Sequence, residues 1–342
     1  MSEKQLFYST TPYHVLLSLS LSLEYSDSEN YLLLAPAFSN SDALVSALRS
    51  LNGSPFKKIC TFTQTRSKSM PERYFLKSRQ SFQCRRLVKS LGPDRIYVAR
   101  DSGAAEQALL HHSSADTTNI YIEDGTAAYS GHLRTSKPLW KRFAGKLFYG
   151  PWWTPPQVFG TSRWIDHVVL TFPDHVRPEL ADYPAEPISS APLRSVNSNW
   201  IESYFSAIGI EPATLADIES IILATHSSAS DGNPCYRKTL RNEIRNTSGI
   251  VAVKYHPRET DGDYLGVAKH ENTTILPQSI PAELVYLYAN RLTTVVGTIS
   301  TALLTARWID DDLEVISLAD VIDIGDDRLK TMFRSVDIDV RS

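Results

Sequence analysis

Residues 94–125 read "DRIYVARDSGAAEQALLHHSSADTTNIYIEDG", and the order of patterns in this stretch decides the fold. An apolar run of strand length at 94–100 is followed by a helical segment at 103–112 and a second apolar run at 119–122. A strand, a helix and a strand in that order form the repeating unit of a parallel sheet with crossover helices. Toward the N-terminus the same rhythm runs through "KQLFYS" (4–9), a helical 12–24, "NYLLLAP" (30–36), a helical 40–51, "KKICTF" (57–62) and a basic helical 70–91. The first half therefore reads as one doubly wound α/β domain.

Toward the C-terminus the rhythm breaks at "KPLWKRFAGKLFYGPWWTPPQVFG" (137–160). Lys137, Lys141, Arg142 and Lys146 lie there among Trp140, Phe143, Leu147, Phe148, Trp152 and Trp153. This mixture suits a peripheral membrane contact, a lipid-linked acceptor or sugar rings, and equally a helix with a domain-packing aromatic cluster. Proline-studded sequence continues to about residue 193, as in a traverse between domains. The α/β rhythm then resumes: a helical 197–207, "SIILATH" (220–226), a helical 233–246, "GIVAVKYHP" (249–257), "NTTILP" (272–277), a helical 281–290, "LTTVVGT" (292–298), a helical 299–307 and "LEVISL" (313–318). The predicted division is 1–185 and 186–342, two open α/β sheets whose ligands belong outside the carboxyl ends of their strands.

The 342 residues suffice for two such cores, and 42% hydrophobic with 21% charged residues is globular composition. Thirty-five basic side chains against 38 acidic ones give a net charge of -3, which supplies no overall field for nucleic acid. Three scattered cysteines, Cys60, Cys84 and Cys235, favour neither a disulfide framework nor a thiolate zinc site. The start, "MSEKQLFYSTTPYHVLLSLSLSLEY", has no secretion-signal pattern. No run approaches the roughly 18 apolar residues of a membrane span. A cytoplasmic protein is expected, with membrane contact at most peripheral.

The chemistry-bearing residues fall at strand ends. Glu123 and Asp124 follow "IYI" directly, and Gly125 permits a sharp turn or a close ligand approach. Of two adjacent carboxylates, one can stay ionised while its neighbour is raised toward a base's range; a plain acidic turn is the simpler alternative. "IVAVKYHPRE" runs a second strand into Lys254, His256, Pro257 and Arg258. Proline after His256 biases it to extended backbone, and a histidine flanked by cations suits a phosphate. "SIPAELVYLYA" puts Pro281 at a first helical position and Glu283 in the first turn. "TTVVGTISTALL" leaves Ser300 and Thr301 at a helix N-terminus, an anion site without Walker or dinucleotide spacing. Thr225 and Ser227 in "LATHSSASDG" can touch the same ligand. Thr10, Thr11 and His14 in "TTPYHVLL" can line the first sheet's edge, although a helix start explains them more simply. Asp310, Asp311 and Asp312 read as a solvated loop, and His111, His112 and His132 lack ligand spacing, so no metal site is expected.

"EDG" (123–125), "KYHPR" (254–258), "IPAE" (280–283) and "STA" (300–302), in this order, resemble the bacterial sialyltransferases, the group of lipooligosaccharide sialyltransferases and capsular polysialyltransferases. "TPYHVLL" and "GTSRWIDHVVLTFP" (160–173) are also similar. The resemblance implies GT-B architecture, two Rossmann-like domains facing across a cleft, with the acceptor on the first and a CMP-sugar donor on the second. It implies a metal-independent, inverting transfer of sialic acid from CMP-sialic acid to a glycan or glycolipid hydroxyl. Glu123 or Asp124 would be the general base, Glu123 first. His256 would be the general acid or phosphate ligand, Ser300 and Thr301 would hold the phosphate, and Glu283 the ribose hydroxyls. Thr301 stands where the family often has serine. CMP-Kdo or another CMP-nonulosonate as donor, a non-catalytic nucleotide- or glycan-binding module, and a UDP-sugar epimerase are the alternatives.

Overall fold

The computed structural model describes residues 2–51, 53–62, 69–131, 138–230 and 233–342. In chain order the first sheet and its helices are β1 (Lys4–Ser9), α1 (Pro12–Glu24), β2 (Glu29–Leu34), α2 (Ser41–Ser50), β3 (Phe56–Thr61), α3 (Met70–Leu91), β4 (Arg95–Val98), α4 (Ala104–His112), β5 (Thr118–Ile122), α5 (Leu139–Tyr149), β6 (His167–Leu170) and β7 (Ala185–Pro187). The seven strands lie in the order β3-β2-β1-β4-β5-β6-β7, every neighbouring pair parallel. Strands buried on both faces need continuous apolar sequence, which "LFY" and "IYV" supply. Phe7 stacks on its register partner Tyr97 with ring centroids 4.4 Å apart.

Helix α1 explains the leucine–serine alternation near the N-terminus. Thr11 caps it, accepting from the His14 N–H at 3.2 Å, and Pro12 occupies its first turn. Tyr13 through Ser22 are all buried. Ser18 and Ser22 fit because their hydroxyls donate to the carbonyls of His14 and Ser18, at 2.8 and 2.7 Å.

The remaining elements are α6 (Ala191–Ser195), α7 (Asn199–Ala207), α8 (Ala213–Ala216), β8 (Ser220–Ala224), α9 (Ser227–Ser230), α10 (Pro234–Asn246), β9 (Val251–Tyr255), β10 (Thr273–Leu276), α11 (Ala282–Tyr288), β11 (Thr294–Gly297), α12 (Thr301–Ile309), β12 (Glu314–Ser317), α13 (Asp327–Ser335) and β13 (Asp339–Val340). They form a second all-parallel sheet, β10-β9-β8-β11-β12-β13. Its core gathers Ile222, Val253, Val296 and Ile316 from the strands with Tyr236, Leu240 and Ile244 from α10.

Contacts divide the chain into unit 1, residues 1–39 and 53–192, and unit 2, residues 40–52 and 193–342. Helix α2 thus belongs with unit 2, where it packs on α7. The proline-studded segment expected as a traverse to about residue 193 instead adds two further strands, β6 and β7, to unit 1, which runs to Pro192; α5 lies before it, in the 137–160 stretch. Strands of four and three residues, β6 and β7, are too short to display a period in sequence. Pro187 is tolerated because β7 is an edge strand. Pro281 is the N-cap of α11 rather than its first helical residue.

Candidate active site

In unit 1 the sheet order reverses between β1 and β4, and such switch points are where open α/β sheets place ligands. The acidic pair lies at this edge, one strand beyond, at the end of β5. Glu123 is fully buried (0% exposed). Its Oε1 accepts from the Tyr13 hydroxyl, and its Oε2 accepts from the Tyr129 hydroxyl, from the Thr171 N–H at 2.7 Å and from the Thr171 hydroxyl at 2.9 Å. Burial pushes its carboxyl upward, opposed by the hydroxyls of Tyr129 and Tyr13 and by Thr171. Gly125, at φ +58°, turns the chain left-handedly into a tight 125–128 turn that returns Tyr129 to Glu123.

Asp124 points elsewhere and keeps 13% of its side chain exposed. Its Oδ1 lies 2.9 Å from His14 Nε2, and its Oδ2 accepts from Arg100 Nε at 2.6 Å. The other ring nitrogen of His14 lies 3.1 Å from the Thr10 hydroxyl. Burial would raise the Asp124 carboxyl, but the hydrogen bond to His14, the charge of His14 and then that of Arg100 hold it down at about 2. One carboxylate is therefore locked inward and its neighbour is a surface-reaching anion paired with an imidazole. Thr11 serves as the α1 cap, with its side chain turned to the helix.

In unit 2 the order reverses between β8 and β11, and the second set of residues gathers around that point. His256 follows β9, partly exposed, with Nδ1 accepting from the Arg258 N–H at 3.1 Å. That bond leaves Nε2 as the protonated nitrogen of the neutral ring. Burial, then the charges of Arg258, His226 and Lys254, push the imidazole below its ordinary value. His226 stands edge-on to it, centroids 5.9 Å apart. Pro257 and Arg258 are exposed in the turn that follows.

Lys254 is buried, donating to the Gln278 carbonyl at 3.3 Å. Burial pushes its ammonium down to about 8, against the opposing charge of Glu283. Glu283, in the first turn of α11, is raised by burial against Lys254. Ser300 caps α12, accepting from the Leu303 N–H at 3.4 Å, and Thr301 is the first residue of that helix. The adjacent Thr298 is buried, its hydroxyl oxygen without a partner among the described residues.

Thr225 is turned inward: its N–H and hydroxyl donate to the Tyr236 oxygen at 2.7 and 2.8 Å, and its carbonyl accepts from Tyr264 at 2.8 Å. The Ser227 N–H donates to Glu259 Oε2 at 2.6 Å. Glu259 also accepts from the N–H groups of Thr260 and Asp261, and the Ser227 N–H leads the donors that hold it down at about 2. Glu259 thus ties the loop after β9 to the loop after β8.

Sequence reasoning assigned no role to Tyr13, Arg100, Tyr129, Thr171, His226 or Glu259. Glu259 is the next residue after "KYHPR", and Thr171 lies within "GTSRWIDHVVLTFP", so their positions were in view without a pattern to mark them. Asp310–Asp312 form a turn in which Asp310 Oδ1 accepts from the Asp312 N–H at 3.0 Å. His132 and Lys137 lie outside the described residues.

A family model described as alpha-2,8-polysialyltransferase matches residues 230–319, which span β9, "KYHPR", "IPAE" and "STA". The chain is similar to the bacterial sialyltransferases. No curated protein matches it. Among solved structures, an alpha/beta-galactoside alpha-2,3-sialyltransferase from Photobacterium phosphoreum superposes with a TM-score of 0.57 at 12% identity, over 99% of this chain and 98% of that one. The GT-B domain of a Photobacterium damselae sialyltransferase gives 0.51 at 12%, over 89% and 88%. UDP-GlcNAc 2-epimerase from Neisseria meningitidis, bound to UDP-GlcNAc, gives 0.55 at 9%, over 100% and 95%. The fold is GT-B, two Rossmann-like sheets, as the resemblance implied.

Proposed function

We propose that the protein is a glycosyltransferase that moves sialic acid from CMP-sialic acid to a glycan hydroxyl with inversion. The observation that carries this reading is the coincidence of two independent signals in unit 2. The family match covers residues 230–319, and within it Ser300 and Thr301 follow β11 at the sheet's switch point, while His256 follows β9 one strand from it. A CMP-sugar carries a single phosphate. A neutral imidazole N–H, the N–H groups opening a nine-residue helix and the Lys254 charge suit one phosphate's developing negative charge.

In unit 1 accessibility favours Asp124 over Glu123 as the group that takes the acceptor proton, although His14 and Arg100 make Asp124 the weaker base and burial raises Glu123. Glu123 has four donors on its two oxygens and no exposed surface, whereas Asp124 reaches the surface. His14 orients Asp124, and Glu123 fixes the turn that presents it. As the acceptor oxygen bonds to the anomeric carbon, its proton passes to Asp124. The bond from that carbon to the phosphate oxygen breaks, and the electron pair leaves on CMP, where His256 donates a hydrogen bond. Removing either group should cost about 10²–10⁴-fold in turnover, the usual range for a positioned acid or base.

One observation favours a second reading, a UDP-sugar epimerase: the meningococcal epimerase shares the fold over this whole chain. Calorimetric titration with CMP and with UDP separates the two. Tighter binding of CMP is expected; preferential binding of UDP would sink the transferase reading.

A further inference from the structure

Helix α5 and its neighbour α3 carry a surface that the transfer chemistry does not use. Gly145 marks the inward side of α5, since a Cβ there would meet the Trp153 ring at 2.1 Å, so the helix sits flat on that indole. On the opposite side Leu139, Phe143 and Leu147 recur at i, i+4 and i+8 and are 70%, 73% and 82% exposed. Trp140 and Phe148 flank them, also exposed. Helix α3 joins this surface: the Ser78 hydroxyl donates to the Phe148 carbonyl at 2.8 Å, and Tyr74 stacks on Phe148 with centroids 4.9 Å apart. It exposes Phe75 and Phe82, seven residues apart on one face.

The charge of the same two helices is one-sided. Lys141, Arg142 and Lys146 on α5 face no acidic residue of their own helix, and α3 carries Arg73, Lys77, Arg79, Arg85, Arg86 and Lys89 against Glu72 alone. In a chain with 35 basic and 38 acidic side chains this concentration is local. A polyanion in water would meet the cations and leave the exposed apolar side chains solvated. A second copy of this face would bring cation against cation. An anionic bilayer surface satisfies both features, with the apolar row buried at the acyl boundary and the cations at the headgroups.

The geometry points to α5, flanked by α3, as a peripheral docking surface for membranes rich in anionic lipid. Among the described residues no helix is long and apolar enough to cross a membrane, so the contact is interfacial. This inference is independent of the donor and acceptor chemistry.

The test is flotation of the full chain with vesicles of phosphatidylcholine alone and of phosphatidylcholine mixed with phosphatidylglycerol, at low and high salt. The expected result is binding to the anionic vesicles, weakened by salt. The Phe143→Ser/Leu147→Ser variant should bind about tenfold or more weakly, because it loses apolar burial. Lys141→Gln/Lys146→Gln should lose about fivefold per cation and show a shallower salt dependence. Both changes are at exposed positions, so circular dichroism and melting should match the parent. Equal partition to vesicles with and without phosphatidylglycerol, or variants that float like the parent, would overturn the proposal. So would a concentration-dependent dimer abolished by Phe143→Ser, which would assign the face to a second copy.

Discussion

At the end of β5, Glu123 is met by two phenols, a threonine hydroxyl and a backbone N–H, all fixed before any ligand arrives. At the end of β9, His256 has one ring nitrogen on the Arg258 N–H, and the charges that act on it are mostly cationic: Arg258, His226 and Lys254 against Glu259. The first cluster is a charge already neutralised by donors. The second is a set of donors and cations assembled around no anion of its own, apart from Glu259 and the raised Glu283. Under the proposed transfer, unit 1 spends its polar groups on rigidity and presents Asp124, while unit 2 keeps its donors and cations for the phosphate.

The largest effects should come from the groups that touch the reaction. Asp124→Asn and His256→Ala should each lower kcat by about 10²–10⁴-fold with the fold intact, measured as CMP release with matched circular dichroism. If Glu123→Gln matches that loss at unchanged stability, the assignment of the two carboxylates is reversed.

Glu123→Gln should act instead on folding. Four donors converge on a buried carboxylate, and an amide must turn its own NH₂ toward some of them, at a cost of about 2–4 kcal/mol. A thermal melt reads this directly. Asp124→Asn, at a site that reaches the surface, should shift the melt less.

A smaller effect separates the units by pH. Lys254 loses its proton near pH 8, so CMP affinity should weaken by about tenfold as the pH rises through that value, followed by calorimetry. In the ligand-free protein, Lys254's own contribution to stability should move the other way. An unfolded lysine holds its proton to about pH 10.4, so between about 8 and 10.4 the unfolded state binds more protons and stability rises with pH. The smallest effect is Gly125→Ala, which forces a side chain into φ +58° and should cost about 1–2 kcal/mol in the melt.

Much of this was legible in the chain. Pattern and length matched α1 and α3 to the residue, because "PYHVLLSLSLSLE" and the 22-residue basic helix are long and each has a proline in its first turn. The strand-end positions of Glu123 and His256 followed from runs such as "IYI" and "IVAVKY". What sequence could not give was partnership across long separations: Tyr13 and Glu123 are 110 residues apart, and Thr171 joins them only because β6 pairs with β5. The order that put Glu123 before Asp124 rested on the resemblance alone, since exposure and partners, not identity, distinguish the two. The α5 surface was visible as composition, but only Gly145 against Trp153 tells which side faces out.

The most direct measurement is CMP release from CMP-sialic acid, with and without a panel of galactoside and sialoside acceptors, by the parent, Asp124→Asn and His256→Ala. Acceptor-dependent CMP release, lost in both variants, is the predicted result. No release with any acceptor, or release undiminished in both variants, would contradict the proposed transfer.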